Sequence, residues 1–141
     1  MKKILLVTTL ILCEIFSLSA QQQDATFDLT VVITGIENDN GRIYLAIYDS
    51  KETFLTKPQG IVAGIKDKKS LGIFKGLGKG EYAISLFHDE NDNQKMDTKI
   101  FGIPKEPYGF SNNVKLFMGP PKFKDVKFRL ESNKTISIKV N

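Results

Sequence analysis

Phe27–Thr34 reads FDLTVVIT, and its spacing sets the fold class. Phe27, Leu29, Val31 and Ile33 fall on one side of an extended chain, and Asp28, Thr30, Val32 and Thr34 on the other. A period of two is the signature of a strand with one buried face. Just beyond lies Asn38-Asp39-Asn40-Gly41, whose residues tolerate the positive φ that tight turns demand. A second strand then sets Ile43, Leu45 and Ile47 against Arg42, Tyr44 and Tyr48, so the two segments are expected to pair as a hairpin.

The same short-period pattern continues outward. Lys51–Leu55 is expected to form a helical turn ended by Pro58. Strands are expected over Ile61–Ile65, Leu71–Lys75, Glu81–Phe87 and Val114–Met118, with a charged turn at Lys66–Lys69. Near the end, Val126, Phe128 and Leu130 alternate with charged residues, Ser132-Asn133 turns the chain, and Ile136, Ile138 and Val140 alternate again. No long segment has helical periodicity. The expectation is an all-β, seven- or eight-stranded antiparallel two-sheet sandwich, immunoglobulin-like or transthyretin-like, formed by one domain over residues 21–141.

Residues 1–20 read as a signal peptide. Lys2 and Lys3 precede the apolar run Ile4–Leu18, and Ser-Leu-Ser-Ala leads to Gln21 as a small-residue cleavage site. The run is shorter than the ~20 residues that cross a bilayer, and Glu14 inside it would be costly. Leu10 and Cys13 have lipobox spacing, but Ile11 and Leu12 stand where small residues are wanted. The mature protein is therefore expected to be periplasmic or secreted, meeting the membrane only during export. Cleavage would remove Cys13, the one cysteine, and with it thiol catalysis, cysteine zinc sites and iron–sulfur clusters. Losing two lysines and one glutamate lowers the formal charge of +4 by one. The lysines that remain are scattered, as on a solvated surface, so no nucleic-acid partner is expected.

The densest chemistry lies in Leu86–Asn113, LFHDENDNQKMDTKIFGIPKEPYGFSNN. Asp89, Asn91, Asn93 and Asp97 take positions 1, 3, 5 and 9 of an EF-hand-style loop, and Lys95 takes position 7, where the backbone carbonyl is the ligand. Ca²⁺ is a hard cation that takes ~6–8 oxygens, and alternate oxygens on a tight loop can wrap it. Gln94 replaces the usual glycine of position 6, and Ile100 replaces the bidentate glutamate of position 12. The expected affinity is accordingly weak, Kd ~10⁻⁴–10⁻³ M, with structural calcium as the cofactor. An Asx-rich turn bonded to its own backbone is the alternative.

His88, the one histidine, is a general-base or metal-ligand candidate, or simply a strand-end side chain bonded to the loop. No Gly-x-Ser-x-Gly elbow and no phosphate loop occur, since Gly76–Gly80 lacks the Lys-Ser/Thr ending. Tyr108 and Phe110 are either the packed plug of a compact loop or an exposed aromatic platform. With Asn112 they are the candidate ligand-binding residues, for an envelope protein, a peptide or a glycan.

Two resemblances follow from these residues. FKGLGKGEYAISLF, Phe74–Phe87, resembles the strand–turn–strand of transthyretin-like and Cna-B-like sandwiches, in which a Gly-x-Tyr step packs beneath a tight turn. HDENDNQKMDTKIFGIPKEPYGFSNN with Gly119-Pro120-Pro121-Lys122-Phe123 is similar to the bacterial family catalogued as domain of unknown function 2141. That family carries His-Asp-x-Asn-x-Asn-Gly-Lys-x-Asp, then Gly-Ile-Pro-x-Glu-x-Tyr-Gly-Phe-Ser-Asn-Asn, then Gly-Pro-Pro-x-Phe. His88, Asp89, Asn91, Asn93, Lys95 and Asp97 fall on the first block, and Gly102–Pro104, Glu106 and Tyr108–Asn113 on the second. The resemblance implies export and this fold, and adds no reaction. The expected function is a non-enzymatic exported module whose calcium-ordered loop shapes a recognition surface. The alternative is a small envelope hydrolase using His88 with nearby carboxylates.

Overall fold

The computed structural model describes residues 24–116 and 118–141, so the expected signal peptide lies outside the described residues. Nine strands are formed among the described residues: β1 (Thr26–Thr34), β2 (Arg42–Tyr48), β3 (Gln59–Ala63), β4 (Ile65–Lys66), β5 (Lys69–Gly78), β6 (Gly80–Asp89), β7 (Tyr108–Phe110), β8 (Phe128–Leu130) and β9 (Lys134–Lys139). Among the described residues one α-helical turn, α1, spans Phe123–Val126. The strands form two sheets, one ordered β4-β5-β1-β9 and the other β3-β2-β6-β7 with β8 also on β6. The expected all-β sandwich is the observed architecture.

The core explains the alternation. Leu29, Val31 and Ile33 of β1 face Ile43, Leu45 and Ile47 of β2 and Ile84 and Leu86 of β6, all buried. Burying a side chain of this size stabilises by about 1.5–3 kcal/mol, which is how the sandwich closes without disulfides. Phe74, Leu77 and Tyr82 join this core from the β5–β6 corner, where the Tyr82 hydroxyl donates to the Gly78 carbonyl at 2.9 Å.

Three expectations need correction. The first two strands are not a hairpin, because they lie in different sheets: β1 pairs with β5 and β9, and β2 with β3 and β6. The segment between them, Gly35 to Gly41, carries the chain from one sheet to the other rather than reversing it. The sheets are also not wholly antiparallel, since β9 runs parallel to β1 from Leu29↔Lys134 to Thr34↔Lys139. Parallel neighbours need a long crossover, and here the crossover is nearly the whole domain. Finally, residues 114–116 are not a strand; Val114 and Leu116 instead pack on a second cluster around Ala83, Phe110 and Val126.

The turns behave as their residues suggest. Phe54 N–H donates to the Ser50 carbonyl at 3.1 Å in the expected helical turn before Pro58. Asp67 and Lys68 both take positive φ, and the Asp39 carboxylate accepts from both of their amides, at 3.0 and 2.7 Å.

Tyr48 carries a pH prediction. It is almost wholly buried, and its hydroxyl lies 3.1 Å from that of Ser85. Burial pushes the phenol above its ordinary value, outweighing the Ser85 bond that pulls it down. The folded chain therefore holds this proton more tightly than the unfolded chain. The stability it contributes is whole below about pH 10 and falls as pH rises through the folded value. Urea unfolding of Tyr48→Phe is expected to show a shallower loss of stability between about pH 9 and about pH 11 than the parent. Identical alkaline slopes in the two proteins would contradict this.

Candidate functional site: an oxygen-lined loop beside an apolar pocket

The end of β6 delivers His88 and Asp89 into the interior, and both are fully buried. The Asp89 carboxylate accepts from the Asn93 amide at 3.1 Å and the Gln94 amide at 2.7 Å, curling the loop back on its own start. Asp92 and Gln94 take φ of 57° and 65°, so Gln94 makes the left-handed step expected of glycine, held by the Asp89 bond. Asn91 and Asn93 each accept from a backbone amide two residues on, at 3.1 and 2.9 Å. Their side-chain NH₂ groups both donate to the Asp97 carboxylate, at 2.8 and 3.1 Å. Donation from Asn93 and then Asn91 holds the Asp97 carboxyl below the usual carboxylate range.

The structure thus brings Asp89, Asn91, Asn93 and Asp97 together through one hydrogen-bonded web. Among the described residues no three His, Cys, Asp or Glu side chains are gathered as a metal-holding group. The oxygens available here are mixed, carboxylate and amide. The Lys95 backbone lies within the same curl, its amide bonded to Asn93 Oδ1. Ile100, at the position of the missing glutamate, is 78 % exposed.

A carboxylate nine positions beyond Asp97 is bonded to the end of the loop instead. The chain leaves Asp97, folds back through the Thr98↔Pro104 bridge and the Lys99 amide bond to the Ile103 carbonyl at 2.7 Å, and returns. Lys105 N–H donates to the Asp97 carbonyl at 2.8 Å, and the Asp97 amide donates to Glu106 Oε2 at 3.0 Å. Glu106 is only 6 % exposed, and its Oε1 is buried without a hydrogen-bond partner. Counting loop positions from Asp89 cannot find it, because the intervening excursion has no fixed length in that motif.

His88 is placed by the neighbouring loop rather than by its own. Its Nε2–H donates to the Asn40 carbonyl at 2.6 Å, and Nδ1 stands 3.9 Å from Glu90 Oε1. Asn38 donates to the same Glu90 oxygen at 2.7 Å, so the connection from β1 to β2 is buttressed against the loop. The imidazole is fully enclosed, with Nε2 bonded to a carbonyl and Nδ1 buried without a hydrogen-bond partner.

Beside the loop, the outer face of β6 and β7 floors a cavity of about 760 Å³. Ser85, Phe87, Tyr108 and Phe110 lie beneath, and Met96, Phe101, Ile103, Leu116 and Met118 wall it. Phe101 and Met118 are more than nine-tenths exposed. Tyr108 and Phe110 meet edge to face at 6.1 Å, with Phe110 buried in the second cluster, so the pair packs down and also touches the pocket. Asn112 does not line it. Its NH₂ donates to the Lys127 carbonyl at 3.0 Å, pinning the turn that carries α1 to β8. Ser111 does similar work in the interior, accepting from the Ile84 amide at 3.0 Å and donating to the Val126 carbonyl.

Comparison with known proteins agrees with this arrangement of motifs. The family described as an uncharacterized protein conserved in bacteria, DUF2141, matches residues 31–138, from the middle of β1 into the last residues of β9. No curated protein and no solved structure matches the chain. With loop, pocket and every strand but the first half of β1 and the last residue of β9 inside the matched span, the chain belongs to the bacterial domain-of-unknown-function family 2141.

Proposed function

We propose that this protein is an exported binding module in which Ca²⁺ occupies the Asp89–Asp97 loop and sets the shape of the neighbouring pocket. The ligands are Asp89, Asn91, Asn93 and Asp97 side chains with the Lys95 carbonyl. The partner is an apolar segment of a peptide or envelope protein. A volume near 760 Å³ with few polar groups suits such a segment, and flexible Met96 and Met118 adapt to varied side chains.

The observation that carries this reading is continuity. Asp97 ends the oxygen-bearing loop, and its own amide and carbonyl are bonded to Glu106 and Lys105. Those residues close the excursion whose Phe101 and Ile103 wall the pocket. An ion that fixed Asp97 would therefore fix the wall.

The test is isothermal titration with CaCl₂, together with thermal melts in calcium and in chelator. A site with Kd ~10⁻⁴–10⁻³ M should stabilise the fold by about 1–3 kcal/mol at ~10 mM calcium. A hydrophobic dye should then bind the pocket with a calcium-dependent affinity. No heat and an unchanged melting temperature at that concentration would remove the cation from the account.

A further inference from the structure

From two exposed apolar tips set among lysines, we infer that the mouth of the pocket docks on a lipid bilayer that carries anionic headgroups. Such docking needs no cation and extends the binding module above to a membrane surface.

The first tip is Lys99-Ile100-Phe101-Gly102-Ile103-Pro104-Lys105, closed at its base by the Lys99 amide bonded to the Ile103 carbonyl at 2.7 Å. The second holds Met118 between Lys115 and Lys122. Phe101 and Met118 wall the same cavity. They are also the two most exposed large apolar side chains among the described residues, at 96 % and 93 %. Both take positive φ, 66° and 56°. That conformation is strained for a bulky residue, and here no burial of the side chain offsets the cost. Core packing therefore explains neither residue. Insertion among acyl chains does, because it takes out of water the surface that the two turns hold outward.

Charge identifies the occupant as a lipid surface. Between Asp97 and Asp125 the chain carries five lysines, Lys99, Lys105, Lys115, Lys122 and Lys124, all exposed. The single carboxylate of that stretch, Glu106, is buried. The other residues of 21–141 hold 13 basic and 14 acidic side chains. The whole positive excess thus lies on the segment that bears the tips. Among the described residues none of the five lysines forms an ion pair. An apolar peptide gives them nothing to bind. Lysines at the base of an inserted tip meet phosphate headgroups, with their stems along the apolar boundary. Docked this way, the pocket opens toward the bilayer, where an apolar partner segment would be met.

Co-sedimentation with sucrose-loaded vesicles, in chelator, tests this. One set is phosphatidylcholine alone, and the other holds about 30 % phosphatidylglycerol. The parent is expected to bind the anionic set at least about ten-fold more strongly, and to lose about ten-fold between ~50 mM and ~500 mM salt. Phe101→Ser combined with Met118→Ser should bind at least about ten-fold more weakly. It should melt at the parent's temperature or above it, since both side chains stand in solvent. Lys99→Gln combined with Lys105→Gln should weaken binding about ten-fold and flatten the salt dependence. A parent that stays in the supernatant with both sets, or binds them equally, overturns the lipid surface. So does a double serine variant that binds as the parent does. Failure with vesicles while a hydrophobic dye still enters the pocket would overturn the lipid surface and leave the proposed function standing. Vesicle binding without calcium heat would do the reverse.

Discussion

Gly41→Ala is expected to abolish cooperative folding, or to lower the melting temperature more than any other single substitution considered. Gly41 immediately precedes β2 at φ +65°, and an added Cβ would stand 1.7 Å from the Asp89 carbonyl oxygen and 2.8 Å from its carbon. Positive φ alone costs a non-glycine residue about 1–2 kcal/mol. The collision is with backbone at the end of the central strand β6, which cannot rotate away as a side chain would. Relief requires the start of β2 to part from β6, and with it the Arg42↔Asp89 and Ile43↔His88 register. A loss of at least ~4 kcal/mol would follow, a large share of the ~5–15 kcal/mol that holds a domain together. Gly64→Ala is the control, since nothing lies within 4 Å of its added Cβ. Circular dichroism melts of the two should diverge widely. A Gly41→Ala protein melting within about 2 °C of the parent would mean that this approach is not as close as described.

Asp89→Ala should produce the second large effect. The carboxylate is fully enclosed and accepts from two loop amides, Asn93 at 3.1 Å and Gln94 at 2.7 Å. Truncation strands both donors, opens a void at the strand end and leaves Gln94 in a left-handed step with no compensating bond. A loss of about 2–4 kcal/mol is expected from these effects together. The damage should be local in one respect: amide exchange at Asn93, Gln94 and Lys95 should accelerate far more than at Val31 or Ile84. On the proposed function, calcium binding also disappears. Uniformly faster exchange across both sheets would show that Asp89 supports the whole sandwich and not this loop.

Alternation made the strands readable, because Leu29, Val31 and Ile33 must share a face wherever β1 pairs. It could not say which strands are neighbours. Ile43, Leu45 and Ile47 satisfy the same core from the opposite sheet, and alternation does not tell facing from adjoining. The seven residues from Gly35 to Gly41 were the available clue, being longer than the two-residue turns of tight hairpins. Val114–Met118 misled for a related reason: Val114 and Leu116 are buried-side residues, but they cover the back of β6 from an irregular segment.

The loop was legible where spacing is local. Asp89, Asn91, Asn93 and Asp97 are joined because Asx side chains on a tight curl accept from backbone amides two to five residues on, and the two Asn amides then reach Asp97. Glu106 was hidden because its approach depends on the Thr98↔Pro104 closure, which no spacing rule encodes. Asn112 shows the converse, a polar residue beside two aromatics that serves the α1–β8 turn instead of the pocket. The enclosure of His88 against the Asn40 carbonyl is likewise something no local spacing foretells, because Asn40 belongs to a distant connection.

The parallel partnership of β1 with β9 bears on how the molecule is completed. The first and last strands are neighbours, so Lys134–Lys139 must be made before the first strand gains its second partner. Until then, the backbone of Leu29–Thr34 presents an open rim to any extended polypeptide nearby. Vectorial synthesis thus leaves this sandwich incomplete until β9 has been made, and a nick that frees β9 should be far more harmful than one in the Lys51–Lys57 turn.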